Sequence, residues 1–354
     1  MELEGQFISV TVTGCCDVLQ GRIFRVDEGS LILVGLFGTR IIPLCTISSI
    51  DFGPFAYVVN SVEDTVSVIN TATNTVFDLI PVGSVPLSIA ITPNASQAYT
   101  TNFFDNTVTA INTVTNTVIG EPIPVGNLPR GIAITPDGTR AYVTNSGDAT
   151  VSVINTATNS VDDLPIQVGN IPDAIEITPD GTRAYVTNSG DATVSVINTT
   201  TNSVDAPPIP VGNNPSGIAI TPDGTKAYVT NAFDDTVSVI NTETDTVDIS
   251  PIPVGRTPFG IAITPEGSRA YVVNFLDSTI SVINTASDTV IGFPILVGAQ
   301  PIRVAITPDG SRAYVTNFTD DTVSIINTAT NTVIGSPVAV GDGPDGIAIT
   351  TIII

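Results

Sequence analysis

Histidine and tryptophan are both absent from this chain of 354 residues. Histidine is the commonest general base and metal ligand of proteins, and tryptophan is the best aromatic residue for binding a cation. Their absence excludes a Ser-His-Asp triad, histidine-ligated zinc or copper, and haem with a histidine axial ligand. Any hydrolytic site in this chain must therefore use carboxylates alone for acid and base work.

Cysteine is scarce, with three residues at positions 15, 16 and 45. Three thiolates are too few for a closed four-ligand site within one chain, so no metal and no cofactor is predicted. An odd number of cysteines favours an intermolecular disulfide, with Cys15, Cys16 and Cys45 as the candidates. The alternative is that all three are reduced and packed as small hydrophobes.

Basic residues are also few, and the formal net charge is −23. Five of the basic residues occupy one equivalent position of a repeated unit: Arg140, Arg183, Lys226, Arg269 and Arg312. We expect them to be spread around the fold, where they pair with carboxylates or face water. Because binding to a polyanion needs a basic stripe, no nucleic-acid partner is predicted. The acidic start Met1-Glu2-Leu3-Glu4 does not resemble a secretory signal, and we predict no membrane span.

One sequence repeat occurs seven times, and each copy contains a tyrosine. The tyrosines are 42 residues apart once and 43 residues apart thereafter, at positions 57, 99, 142, 185, 228, 271 and 314. A period of about 40 to 50 residues built from short β-rich segments is typical of a β-propeller, because one four-stranded unit cannot bury its own faces. The sequence predicts an all-β fold, with a seven-bladed propeller of four-stranded antiparallel blades over residues 53–354.

Residues 131–169 illustrate one blade. Runs rich in Val, Ile, Thr and Tyr predict strands at 132–135, 141–145, 150–155 and 160–168. Asp137-Gly138 supplies the positive φ angle of a tight hairpin, and the other links are polar turns. Aspartates such as Asp137 are therefore interpreted as turn caps rather than as calcium ligands.

The two ends of the repeat region complete each other. The last copy stops after an inner strand at 346–350, whereas the first copy starts at Phe55-Ala56-Tyr57 without an inner strand before it. We predict that 346–350 joins strands at 56–60, 66–70 and about 75–82 to form one blade. This one-plus-three closure leaves only short, protected strand edges.

The tetrapeptide Tyr142-Val143-Thr144-Asn145 recurs identically at 185–188, 228–231 and 314–317, with variants in the other three copies. On this motif, residues 53–354 resemble the YVTN family of β-propeller repeats. The resemblance implies the propeller fold and a surface-layer, secreted or periplasmic binding protein, with similar blades serving as scaffolds beside redox enzymes and lactonase-like hydrolases. The shared motif is structural, so the resemblance implies no catalytic residue.

Candidate functional residues lie where the repeat varies. The loop before each inner strand reads Val-Gly-x-x-Pro-x, and the residue after proline differs between copies, which predicts a variable ring at the axial mouth of the channel. Glu176 also stands in an inner strand where other copies have alanine, and Arg303 replaces a small residue. Drift without selection explains this variation equally well. The candidate ligand-binding residues are Arg130, Asp173, Glu176, Phe259, Arg303 and Asp345.

Residues 1–52 contain no copy of the repeat. Three segments, QFISVTVTG, GRIFRVDEGSLILVGL and GTRIIPLCTISSID, predict about five short strands. This pattern resembles a small barrel of the SH3 or Sm-like class, whose members often associate through strand edges. A core of this size is marginal alone, so we expect docking or self-association.

These features together favour a structural or interaction protein over an enzyme. The leading hypothesis is a self-assembling component of a spore coat or extracellular fibre, made without a signal peptide and displayed at a spore or cell surface. Residues 1–52 would form the contacts of a homo-oligomer or fibre, and the propeller would be the displayed body, open to a protein partner. The alternative is a ligand-binding or lactonase-like propeller that uses the axial mouth, and the alternative location is the cytoplasm.

Overall fold

The computed structural model describes residues 54–351 apart from 163, 206 and 249, and five strands before residue 54 by their backbone alone. These are β1 (Phe7–Val12), β2 (Val18–Asp27), β3 (Ser30–Gly35), β4 (Gly38–Pro43) and β5 (Ile47–Asp51). They form one antiparallel sheet in the order β4-β3-β2-β1-β5. Their number agrees with the prediction, whereas the SH3 or Sm-like barrel and the domain boundary at residue 52 stay predictions. Cys15, Cys16 and Cys45 lie outside the described residues.

Residues 55–349 form seven antiparallel blades, which confirms the predicted fold class. Each blade has an inner, a second, a third and an outer strand. The inner strands of blades 2 to 7 and then blade 1 are Pro86–Ile91, Pro129–Ile134, Pro172–Ile177, Pro215–Ile220, Pro258–Ile263, Pro301–Ile306 and Pro344–Ile349. The second strands of blades 1 to 7 are Phe55–Asn60, Gln97–Asn102, Arg140–Asn145, Arg183–Asn188, Lys226–Asn231, Arg269–Asn274 and Arg312–Asn317. The third strands are Thr65–Asn70, Thr107–Asn112, Thr150–Asn155, Thr193–Asn198, Thr236–Asn241, Thr279–Asn284 and Thr322–Asn327.

The outer strand is continuous in blade 1 (Thr75–Pro81) and blade 6 (Thr289–Leu296) and is broken in two in the other blades. The single strand predicted at 160–168 is one of those that are broken. The pieces, from blade 2 onward, are Thr117–Val118 with Ile123–Pro124, Ser160–Val161 with Ile166–Gln167, Ser203–Val204 with Ile209–Pro210, Thr246–Val247 with Ile252–Pro253, and Thr332–Val333 with Val338–Ala339. A proline, which has no N–H group to donate, lies in every gap, but Pro294 lies within the unbroken outer strand of blade 6, so proline alone does not impose the break.

Ring closure follows the predicted one-plus-three arrangement. Pro344–Ile349 pairs with Phe55–Asn60, with Ile347 opposite Val58 and Ala348 opposite Tyr57. Thr350 extends the seam, because its N–H donates to Phe55 O at 2.9 Å and its Oγ1 accepts from Phe55 N–H at 2.8 Å. The chain end therefore supplies the innermost strand of the first blade.

The hydrophobic core lies between neighbouring blades, and the repeated tyrosine joins each blade to the next. The Tyr271 hydroxyl of blade 6 donates to Asn331 Oδ1 at 2.7 Å and lies 3.2 Å from Thr328 O, both in blade 7. Tyr314 of blade 7 repeats these contacts with Asn74 and Thr71 of blade 1. All seven tyrosines are fully buried. The tyrosine that recurs once in each repeat therefore also links each blade to the following one.

Among the described residues there is no helix, and so none that is long and apolar enough to cross a membrane. The basic residues of the second strands bind the following blade, as Lys226 does with Asp288 at 2.6 Å. The aspartates of the Pro-Asp-Gly turns are local caps: Asp137 accepts from the Thr135 hydroxyl at 2.6 Å and from Thr139 N–H at 3.0 Å, and these bonds lower its pKa. Within the described chain, no group of three or more potential metal ligands occurs.

Candidate functional site

A bulge after each inner-strand proline presents the variable residue at the mouth. In blade 3 the register steps from Pro129 opposite Asn145 to Ile132 opposite Val143, so Arg130 and Gly131 together oppose Thr144. A bulge of this kind bends a strand and changes where a side chain is directed. The seven residues at this position are Leu87, Arg130, Asp173, Ser216, Phe259, Ile302 and Asp345.

Threonine of the repeated tetrapeptide fixes the backbone of this ring. Thr144 Oγ1 accepts from Gly131 N–H at 2.8 Å and donates to Asp173 O of the next blade at 2.7 Å. Thr316 makes the same pair of contacts with Arg303 N–H at 3.0 Å and Asp345 O at 2.8 Å. Each mouth carbonyl held in this way is anchored by the preceding blade, which makes the mouth a rigid platform.

Two arginine–aspartate pairs lie at the mouth. Arg130 Nη1 is 3.4 Å from Asp173 Oδ1, and Arg303 Nε is 4.0 Å from Asp345 Oδ1. Burial raises the pKa of Asp345 to about 6, with Asp173 acting in the same direction and both arginines opposing it. The four charged groups therefore influence one another across the ring, although they belong to blades 3, 4, 7 and 1.

Arg130 keeps an unused donor. Its guanidinium lies over the Phe103 ring, 5.4 Å from the ring centroid, in cation–π geometry. Its Nε is buried and has no hydrogen-bond acceptor among the described residues. A buried donor without an acceptor is costly, so this arginine is held at the mouth at some expense in stability.

Glu176 and Arg303 line the same cavity on the propeller axis. The cavity has a volume of about 140 Å³, and the rest of its wall comes from small or aliphatic residues of the inner strands, including Gly131, Gly217 and Gly260. Glu176 is surrounded by protein except where it lines this cavity, and burial raises its pKa to about 7. The two residues that break the inner-strand pattern thus line one cavity, although 127 positions separate them in the chain.

Phe259 forms an aromatic pair at the mouth. Its ring meets that of Phe275 edge to face, with centroids 5.1 Å apart. Its backbone is held by blade 5, because Thr230 Oγ1 donates to Phe259 O at 2.6 Å and Ser216 Oγ donates to Pro258 O at 3.2 Å. The apolar side of the mouth is therefore as firmly held as the charged side.

All six candidate residues lie at the mouth or in the channel below it, although their role as a ligand site stays a prediction. Phe275 was missed, and its signal was available: the equivalent hairpin position carries serine in blades 3 and 4. The anchoring role of Thr144 and Thr316 was also missed, because a strand sequence does not show which carbonyl of another blade a hydroxyl will reach.

These features define a seven-bladed β-propeller with a charged, partly aromatic mouth above a small axial cavity. Residues 122–292 match the family model "Lactonase, 7-bladed beta-propeller". No sequence among the curated proteins gives a significant match.

Solved structures share the fold. A functionally unknown protein from Desulfotomaculum acetoxidans is 21% identical with a TM-score of 0.73, over 84% of this chain and 99% of that one. Hydrazine synthase from Kuenenia stuttgartiensis is 21% identical with a TM-score of 0.70, over 93% and 97%. A candidate 6-phosphogluconolactonase from Bacteroides uniformis is 16% identical with a TM-score of 0.71, over 84% and 99%. At these identities the likeness shows the fold alone.

The match to a lactonase family model corrects the leading functional hypothesis. A non-catalytic, self-assembling surface protein is contradicted, and so is the conclusion that the chain is not an enzyme. That conclusion gave too much weight to the missing histidine. A carboxylate whose pKa is near 7 can replace histidine as a general base, and burial gives Glu176 such a pKa. The predicted spore coat, fibre, homo-oligomer and disulfide have no support among the described residues.

Proposed function

We propose that this protein is a lactonase-like hydrolase that opens small cyclic esters at the axial mouth. The observation that supports this function best is that Glu176 and Arg303 both line one cavity of about 140 Å³. Each is the exception in its own strand, and together they supply a base and an electrophile. Lactone hydrolysis needs a group that removes a proton from water and a group that stabilises the oxyanion.

In this proposal, Glu176 acts as the general base. Its carboxylate removes a proton from a water molecule as the water oxygen attacks the lactone carbonyl carbon. Arg303 donates hydrogen bonds to the carbonyl oxygen, which becomes negatively charged in the tetrahedral intermediate. The ring C–O bond then breaks, and the leaving alkoxide takes the proton from Glu176, so that water and lactone yield one hydroxy acid and the base is regenerated.

The other charged residues position these two. Asp345 lies 4.0 Å from Arg303 Nε and holds the guanidinium at the rim of the cavity. Arg130 and Asp173 provide a second polar anchor, through the exposed part of the Arg130 guanidinium. No histidine and no metal is needed for these steps.

The proposal is tested by hydrolysis of simple γ-lactones followed in a pH-stat. We expect measurable turnover by the native chain and a loss of at least about 100-fold in kcat/KM for Glu176→Gln, since a positioned general base contributes about 100-fold or more. Glu243→Gln is the matched control, because Glu243 is exposed on a hairpin. Equal activity of native and E176Q proteins would exclude Glu176 as the base, and the absence of turnover above the uncatalysed rate would refute the function.

Other features stay proposals. The YVTN resemblance supports a secreted or surface location, with the cytoplasm as the alternative. Residues 1–52 are proposed to be a small module of the SH3 or Sm-like class, separate from the propeller at residues 53–354. Fractionation of cells and limited proteolysis near residue 52 would test these two proposals.

A further inference from the structure

The axial cavity is too small to hold a whole substrate. Its volume is about 140 Å³, whereas pockets that enclose a small-molecule ligand usually measure about 300–1,000 Å³. A lactone ring reaching Glu176 and Arg303 would fill most of this space. Any substituent on the ring must therefore lie outside the cavity, on the surface of the mouth.

That surface is not uniform around the ring. On blades 6 and 7 the mouth carries Phe259 and Ile302, and the hairpin beside Phe259 adds Phe275 and Leu276. We call these four residues the apolar wall. Leu276 is 52% exposed, and exposed apolar residues also occupy the equivalent position in blades 1, 2 and 5, at Val62, Phe104 and Phe233. On blades 3 and 4 the same hairpin positions are Ser146-Gly147 and Ser189-Gly190, beside the charged Arg130 and Asp173. Blade 2 also carries apolar residues at these positions, Leu87 and Phe103-Phe104, but there the Arg130 guanidinium lies over the Phe103 ring.

The apolar wall adjoins the proposed electrophile. Ile302 directly precedes Arg303, and Gly260 directly follows Phe259. A Cβ atom at Gly260 would lie 3.3 Å from Arg303 Cδ and 2.6 Å from Ile302 O. The Arg303 side chain therefore begins its course over Gly260, next to Phe259 in the chain, while its Nε lies 4.0 Å from Asp345 Oδ1. A carbonyl group bound at Arg303 would place the neighbouring atoms of its ring close to the apolar wall.

We infer that the preferred substrates are lactones with an alkyl or other apolar substituent, whose ring enters the axial cavity and whose substituent lies on the apolar wall. This inference rests on the proposed lactonase function and specifies its substrate class. Contiguous exposed apolar residues on a soluble protein commonly mark a binding surface. Here the rigid backbone of Phe259 and the adjacent Arg303 indicate that the surface binds a small molecule in register with the cavity.

The test compares γ-valerolactone, which carries a methyl group, with γ-octalactone, which carries a butyl group. If each added methylene is largely buried, kcat/KM should rise about threefold per methylene, or about 30-fold between the two substrates. In Phe275→Ala the ratio of the two kcat/KM values should fall by about tenfold, because much of the aromatic contact is lost. Phe275→Leu should keep most of the ratio, since leucine restores apolar area.

Phe293→Ala is the matched control. Phe293 belongs to the outer strand of the same blade and is 94% exposed, so the ratio should be unchanged in this variant. A native ratio below about threefold, or a ratio unaltered in F275A, would overturn the inference.

A binding measurement separates failure of the inference from failure of the proposed function. Isothermal titration with 2-methylcyclopentanone and 2-butylcyclopentanone, which contain no hydrolysable ester, reports on the apolar wall without turnover. Tighter binding of the butyl compound that is lost in F275A supports the wall even if no lactone is hydrolysed. Equal affinity of the two ketones, with lactones still hydrolysed, contradicts the wall and leaves the hydrolase proposal standing.

Discussion

Replacing Glu176 with glutamine should make the propeller more stable at alkaline pH while it abolishes the proposed activity. Burial raises the pKa of Glu176 from 4.5 to about 7, so the folded state binds this proton more tightly than the unfolded state does. The stability that the proton provides is fully present below about pH 4.5 and is lost as the pH rises through 7. Glutamine has no proton to lose and escapes this dependence.

The size of the effect follows from the pKa. Each tenfold change in an ionisation constant corresponds to about 1.4 kcal/mol, so a change from 4.5 to about 7 corresponds to about 3 kcal/mol. E176Q should exceed the native chain in free energy of unfolding by about 3 kcal/mol at pH 8.5 and by about 1 kcal/mol at pH 5. Sites that are retained at a cost in stability are commonly functional.

The assay is urea unfolding followed by circular dichroism at both pH values. The comparison of two chains at the same pH cancels the titration of all other carboxylates. Glu243→Gln, which changes an exposed glutamate, should show no pH-dependent difference from the native chain. If the difference in free energy of unfolding between E176Q and the native chain is the same at both pH values, or if E176Q is the less stable chain at pH 8.5, then the carboxylate has a favourable partner and the reasoning from burial is wrong.

Three further changes test other parts of the structure. Arg303→Met should lower kcat/KM by about 100-fold, as expected for loss of an oxyanion donor. Arg256→Met, which changes an exposed arginine of a mouth loop, should leave kcat/KM unaltered, and comparable losses in both variants would contradict the role of Arg303. Removing residues 345–354 deletes most of the inner strand of blade 1, so the melting temperature should fall by about 10 °C or more, corresponding to several kcal/mol; an unchanged melting temperature would show that the seam is elsewhere. Tyr271→Phe leaves Asn331 Oδ1 without its donor at 2.7 Å and should cost about 1 to 2 kcal/mol in urea unfolding, and no loss would mean that water replaces the hydroxyl.

The fold could be predicted because every repeat has the same order of strand-forming and turn-forming residues. The tyrosine period, the turn residues and the incomplete first and last copies were enough to predict seven blades and the pairing of the chain ends. The continuous outer strand predicted at 160–168 was wrong, since the structure has two pieces, Ser160–Val161 and Ile166–Gln167. Pro165 lies in the break, but it is not sufficient to cause it, because the equivalent Pro294 lies inside the continuous outer strand of blade 6.

The candidate site was only partly predictable. Variation at one repeat position identified Arg130, Asp173 and Asp345, since a ring of equivalent residues must surround the axis. Whether Glu176 and Arg303 line the same cavity depends on the radius of the channel and on which blades face each other across it. Neither property can be predicted from the sequence of a single blade. The prediction that the chain is not an enzyme was wrong, because it relied on the absence of histidine. It took no account of the raised pKa that burial gives to a carboxylate such as Glu176.

The most direct test of the central claim is the pH dependence of kcat/KM for γ-octalactone between pH 5 and 8.5. A general base must be ionised to act, so kcat/KM of the native chain should rise with pH through the pKa of about 7 that burial gives Glu176 and level off above it. The same profile in E176Q should be flat and near the uncatalysed rate. A native profile without this ionisation, or one that E176Q retains, would contradict hydrolysis by Glu176 at the propeller axis.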